Sequence, residues 1–73
     1  MEERIKNVFN NVFKESIDFN IELSRKTESK WDSMKHIEFL VALEKEFELR
    51  FDGSDATEMN SINKIILIIG QRI

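Results

Sequence analysis

The residues best placed to do chemistry in this chain are an aspartate and a serine within the segment Trp31-Asp32-Ser33-Met34. This segment ends a polar stretch and precedes a stretch with helical periodicity, so the Ser33 hydroxyl is expected at a helix N-terminus. Such a position offers unpaired backbone N–H groups and the positive end of the helix dipole, which favour a phosphate ester on the serine oxygen. Ser33 is therefore a candidate modified residue, while the simpler interpretation of an Asp-Ser pair in front of a helix is a cap.

The composition indicates one small domain without thiol chemistry of its own. The chain has 73 residues, enough for a single core, and no cysteine, so any reactive thiol has to come from a cofactor. The 14 acidic and 11 basic residues give a net charge of −3, and the basic residues are scattered, so nucleic acid is not an expected partner. The longest apolar run, Ile65 to Ile69, is too short to span a membrane, and the N-terminus does not have the pattern of a signal peptide. We therefore expect a soluble, cytoplasmic protein.

The pattern of apolar residues predicts four helices. The first runs from Glu2 to Glu15 and the second from Ser33 to Glu48, while a short third helix spans Ser54 to Met59 after the turn signal Asp52-Gly53. The fourth begins near Ser61, a good N-cap residue. The core stripes of the first and fourth helices are Ile5, Val8, Phe9, Val12 and Phe13, and Ile62, Ile65, Ile66 and Ile69.

The segment from Ser16 to Lys30 has a different pattern. Its apolar residues alternate with polar ones, as in a strand, and they are Ile17, Phe19, Ile21 and Leu23. The stretch from Phe47 to Phe51 is the other clear alternation, and a pairing of these two segments is one possibility, although an isolated strand pair is marginally stable. We favour a long loop that sends every second apolar side chain into a helical core.

The second predicted helix has two apolar faces. At 100° per residue, one side is a core stripe, while the opposite side has a second set of apolar residues, here named the outer strip: Met34, Ile37 and Val41. Glu38, Glu44 and Glu48 flank this strip. It is either covered by the third helix or available as a docking surface for a partner with a basic, apolar groove. Ser33 lies at one end of the strip.

Other polar residues give no sign of catalysis or of a metal site. His36 is the only histidine and is expected to be partly buried or packed at the surface, because no cysteine or second histidine completes a site. Asp52, Asp55 and Glu58 lack the spacing of a calcium-binding loop, so solvated turn acids are the expected interpretation. We therefore expect neither a metal nor an enzymatic activity.

Together these segments resemble an acyl carrier protein over essentially the whole chain. The resemblance is carried by Glu2 to Lys6, by Asp32-Ser33-Met34, by Ala42 to Phe47, and by Met59 to Ile62. It implies an all-α, four-helix bundle of acyl-carrier type, with a short third helix and a long loop between the first two helices. Residues 1–73 would then form a single carrier domain, expected to be a monomer.

The resemblance also implies a function. In that family the serine matching Ser33 receives 4′-phosphopantetheine from coenzyme A through a phosphopantetheinyl transferase, which reads the residue matching Asp32, and the terminal thiol carries an acyl group. The chain itself catalyses nothing, and its further partners would be an acyl-loading ligase or synthetase and an acyltransferase or synthase. The positions that match partner contacts in the family are Met34, Ile37, Glu38, Val41 and Glu44.

The sequence departs from the family pattern around the serine. Trp31 precedes Asp32, where the family more typically has a segment that contains glycine. Lys35 and Lys45 stand where acidic residues are common, and further basic residues precede the serine at Arg25, Lys26 and Lys30. The mixed charge predicts a specialised lipid, polyketide or polysaccharide-modification pathway rather than bulk fatty acid synthesis. Two alternatives stay open: an aminoacyl or peptidyl carrier, and a helical interaction domain that binds a partner through the outer strip without being modified.

Overall fold

The computed structural model describes residues 1–14 and 16–73, and within them it shows four α-helices and no β-strand. These are α1 (Glu2–Phe13), α2 (Ser33–Phe47), α3 (Gly53–Glu58) and α4 (Ile62–Gly70). The all-α class, the short third helix and the long connection before α2 are thereby confirmed. The predicted end of the first helix at Glu15 lies outside the described residues, and α1 ends at Phe13. No helix in the described part is long and apolar enough to cross a membrane.

Short polar side chains fix where the last three helices begin. Asp32, Asp52 and Ser61 are the N-caps of α2, α3 and α4, and each accepts a hydrogen bond from the backbone N–H three residues later. The N-cap predicted at Ser61 is confirmed. At the other end, Lys14 and Glu48 adopt left-handed backbone conformations with φ of 48° and 54°, which terminate α1 and α2.

The predicted core stripes lie in one continuous core formed by α1, α2 and α4. Val12 and Ile66 are only half-buried, at the edge of their stripes. The buried helical residues are Ile5, Val8, Phe9 and Phe13 in α1, His36, Phe39, Leu40, Leu43 and Phe47 in α2, and Ile62, Ile65 and Ile69 in α4. The second helix therefore has the core face that its periodicity predicts.

Four rings form an aromatic cluster at the end of the core nearest Ser33: Phe9, Phe13, Trp31 and Phe39. All six pairs of ring centroids lie between 4.4 and 6.3 Å apart, and most pairs meet edge to face. Such pairs add about 0.5–1.5 kcal/mol each beyond the area they bury. Since Trp31 is 1% exposed, the loop that precedes Ser33 is anchored in the core.

The alternating segment is a loop, with one short backbone pairing to another part of the described chain. Ile17 is buried and Phe19 and Leu23 are half-buried against the core, whereas Ile21 is exposed. That residue lies in a turn, which directs it outward. Among the described residues the segment pairs only through a single antiparallel bridge, between Ser24 and Ser61, and not with the Phe47 to Phe51 segment.

The core assignment predicts that one substitution has different effects at two helical isoleucines. Ile65→Val removes a methylene from a fully buried side chain, so we expect it to lower the free energy of unfolding by about 0.5–1.5 kcal/mol. Ile37→Val makes the same change on the outer strip, where we expect a change smaller than about 0.5 kcal/mol. Urea denaturation of both variants measures the difference, and equal losses would contradict this core assignment.

Candidate functional site

Ser33 is the first residue of α2, and its side chain is exposed. The cap is provided by its neighbour, because the Asp32 carboxylate Oδ1 accepts the Lys35 N–H at 2.9 Å. The backbone N–H groups of Ser33 and Met34 have no hydrogen-bond partner among the described residues. The Asp-Ser pair therefore does cap α2, as the simpler interpretation expects, but the capping side chain is that of Asp32, and the Ser33 side chain is left exposed.

A cation from the loop lies next to this hydroxyl. Arg25 Nη2 donates to Ser33 Oγ at 3.3 Å, and Arg25 Nε donates to the Trp31 carbonyl at 3.4 Å. The sequence indicated Arg25 only as one of several loop cations, since nothing in the spacing of eight residues predicts a contact with Ser33. The fold of the loop brings the two together.

A chain of hydrogen bonds lies beneath Ser33 and joins three elements. The Trp31 indole Nε1–H donates to His36 Nδ1 at 3.0 Å, and His36 Nε2 lies 2.8 Å from the Ala56 carbonyl oxygen of α3. An indole N–H can only donate and a carbonyl can only accept, so His36 is neutral with its proton on Nε2. The expected partial exposure of His36 is wrong: the side chain is buried, because both ring nitrogens have partners inside the fold.

The surroundings of His36 disfavour its protonated form. Burial lowers the pKa of His36 below its ordinary value of 6.5, the hydrogen bond to the Ala56 carbonyl opposes this effect, and the positive charge of Arg25 lowers the pKa further. Protonation would also place a proton on Nδ1, which would break the bond from Trp31. The neutral imidazole is therefore part of the structure that holds the loop to α2.

The outer strip is open along its length. Met34, Ile37 and Val41 are 74%, 63% and 46% exposed, so α3 leaves all three side chains accessible. Beyond Val41 the surface continues into a shallow groove of about 400 Å³, lined also by Lys45 and Leu49. The strip therefore forms an apolar surface that begins beside Ser33 and runs down the exposed side of α2.

The two acidic candidates beside the strip have different surroundings. Glu38 is exposed and lies 3.6 Å from the Lys35 ammonium group. Glu44 is half-buried and accepts the backbone N–H of Phe51 at 2.7 Å, which fixes the turn after α2. Glu38 is therefore accessible to a partner despite this ion pair, whereas Glu44 has a structural role in addition to any partner contact.

The remaining polar candidates have local structural roles. Asp52 and Asp55 form the capping box of α3, and Asp55 also forms an ion pair with Arg72. The Arg72 guanidinium keeps the pKa of Asp55 below its ordinary value of 3.8. Within the part of the chain that the structure describes, no three metal-ligating side chains come together.

Comparison with known proteins leaves the site to be interpreted from its own geometry. No family model matches the chain, and no curated protein or solved structure matches it. The arrangement around Ser33 is therefore the basis for any functional conclusion.

The state of His36 predicts a pH dependence of stability. Because its folded-state pKa is lowered, the unfolded chain binds more protons below pH 6.5, so the free energy of unfolding falls as the pH drops below about 6.5. Chemical denaturation at several pH values measures this slope. In His36→Gln we expect a clearly smaller slope over the same interval, and equal slopes in the two proteins would contradict the assignment.

Proposed function

We propose that this chain is an acyl carrier protein, which carries acyl intermediates as thioesters on 4′-phosphopantetheine attached to Ser33. The observation that carries the proposal is the exposed Ser33 hydroxyl at the first position of α2, where Asp32 provides the cap and the serine oxygen is not needed for it. An anchor for a long prosthetic arm needs such an oxygen on a rigid element, accessible to a transferase. The acyl-carrier type of bundle is part of this proposal.

The residues present suit the group and its attachment. A phosphopantetheinyl transferase would form a bond from Ser33 Oγ to phosphorus and break the pyrophosphate bond of coenzyme A, with adenosine bisphosphate leaving and the hydroxyl proton passing to the transferase. The attached phosphate would lie near the free N–H groups of Ser33 and Met34 and the Arg25 guanidinium. The group supplies the thiol that a sequence without cysteine lacks.

The outer strip supports the same proposal as a docking surface. A partner enzyme has to bind close to the prosthetic group, and Met34, Ile37 and Val41 extend from Ser33 along one face of a rigid helix. Exposed apolar side chains beside Glu38 combine the contacts that hold a complex with charge that steers its formation. Lys35 and Lys45 make this surface mixed in charge, which favours partners from a specialised lipid, polyketide or polysaccharide-modification pathway.

The packing beneath Ser33 bears on the size of the acyl group that the protein would carry. The aromatic cluster fills this end of the core, and Phe9 and Phe39 are fully buried within it. A long alkyl chain entering here would have to displace packed rings, which is costly in a close-packed interior. We therefore favour a short or polar acyl group; an aminoacyl group would fit the same geometry.

The first prediction of this proposal concerns mass. Incubated with coenzyme A and a phosphopantetheinyl transferase of broad specificity, the protein is expected to gain the mass of one phosphopantetheine group, measured by intact mass spectrometry. Ser33→Ala should gain nothing, because the attacking oxygen is gone. Ser29→Ala removes another exposed serine from the same loop and should be modified at the wild-type rate.

A second prediction concerns the outer strip. Ile37→Glu puts a charge in the middle of the strip without disturbing the core, so we expect the transferase kcat/KM to fall at least about fivefold, the cost of losing a moderate interface contact. Leu67→Glu is the matched control, because Leu67 is 55% exposed on a different helix, α4. Equal rates for the two variants would exclude the strip as the docking surface for this enzyme.

The exposed strip also supports a second candidate function, a helical interaction domain that works without modification. Three exposed apolar side chains in a row on one helix suit an apolar groove of a partner protein. The two functions predict different results for Ser33→Ala, since an unmodified interaction domain would still bind its partner in this variant. The exposed Ser33 hydroxyl, which does not cap α2, favours the carrier.

A further inference from the structure

We infer that Arg25 is a phosphate-binding residue, which holds the phosphodiester on Ser33 and so restricts the direction in which the prosthetic arm leaves the protein. The inference rests on the proposed function and names a residue of that same site. Asp32 and Ser33 alone would anchor the arm at one atom. Arg25 would in addition bind the phosphate, which is the first charged group of the arm.

The contact with the unmodified serine is the first observation. Arg25 Nη2 lies 3.3 Å from Ser33 Oγ, the atom that would carry the phosphorus. The non-bridging oxygens of a phosphate on Oγ are two bonds beyond that atom, within reach of the same guanidinium. A guanidinium binds phosphate oxygens more strongly than it binds a neutral hydroxyl, because the hydrogen bonds become charge-assisted.

The position of Arg25 is fixed before any modification. Its backbone N–H donates to the Asn60 carbonyl at 2.9 Å, and the neighbouring Ile62 N–H donates to the Leu23 carbonyl at 2.9 Å, so the loop is tied to the start of α4. The side chain is half-buried, and its Nε donates to the carbonyl of the core residue Trp31. A guanidinium held at both ends loses little conformational entropy when it binds a phosphate.

The surrounding charges favour this role for Arg25 over the nearby lysines. Arg25 forms no ion pair with a carboxylate among the described residues. Lys30 Nζ donates to the Ser16 carbonyl, and Lys35 Nζ donates to the Val12 carbonyl and pairs with Glu38, so both ammonium groups have other partners. Asp32 is adjacent to Ser33 and would repel a phosphate there, and the positive charge of Arg25 offsets that repulsion.

The test compares the unmodified and the modified protein by NMR, after mass spectrometry has shown complete modification. We expect the Arg25 Nε–Hε resonance to move and to exchange more slowly with solvent in the modified protein, while the other arginine resonances stay in place. An Arg25 resonance unchanged by modification would overturn the inference without affecting the proposed function. Failure to modify the protein at all would instead overturn the proposed function, so the two outcomes are distinct.

Thermal unfolding gives an independent measure of the same contact. We expect modification to raise the unfolding midpoint of the wild type by about 2–4 °C, a rise consistent with one exposed charge-assisted contact in a domain of this size. In Arg25→Gln this rise should be lost. Lys26→Gln removes a charge from the adjacent, exposed position and should keep the rise. Equal rises in the wild type and Arg25→Gln would contradict a phosphate contact.

Discussion

The hydrogen bonds from Trp31 to His36 and from His36 to Ala56 determine where Ser33 lies. Trp31 is buried in the aromatic cluster, so the loop before α2 has one position relative to the core. His36 lies one helical turn into α2 and uses one ring nitrogen to hold that loop and the other to hold α3. Each partner fixes the protonation of the nitrogen it contacts, which is why this arrangement requires a neutral imidazole.

This arrangement combines a fixed backbone with an exposed serine hydroxyl, as the proposed carrier function would require. The core, the cap at Asp32 and the bridge between Ser24 and Ser61 hold the backbone around the serine. The serine oxygen itself does not cap the helix and accepts a hydrogen bond from Arg25, and the outer strip beside it is exposed. A partner enzyme would therefore meet a preformed surface, so little binding free energy would be spent on ordering it.

Local patterns in the sequence predict much of the fold. The helical spacing of Ile5, Val8 and Phe9 places α1 correctly. The two apolar faces of α2 can also be told apart, because a rotation of 100° per residue puts Phe39 and Ile37 on opposite sides of the helix. Ser61 is recognisable as a cap from its residue type. These features depend on interactions between residues a few positions apart, which a single sequence records directly.

The rest depends on contacts between distant parts of the chain. In the sequence Trp31 is only a departure from a family pattern. In the structure it is one of the largest buried side chains, because it packs against Phe9 and Phe13 of α1 and Phe39 of α2. His36 is buried because its partners lie in the loop and in α3. Arg25 reaches Ser33 because its segment bends back against the start of α4. None of these three contacts follows from periodicity or composition.

The proposed role of Ser33 as the anchor of a prosthetic group is tested most directly on the protein isolated from the cells that produce it. Cleavage after Lys30 and Lys35 releases the peptide Trp31–Lys35, in which Ser33 is the only hydroxyl residue. Fragmentation of that peptide in a mass spectrometer is predicted to show phosphopantetheine bound to Ser33. If the peptide occurs solely at its unmodified mass, in a preparation where a known carrier protein is modified, the account is contradicted.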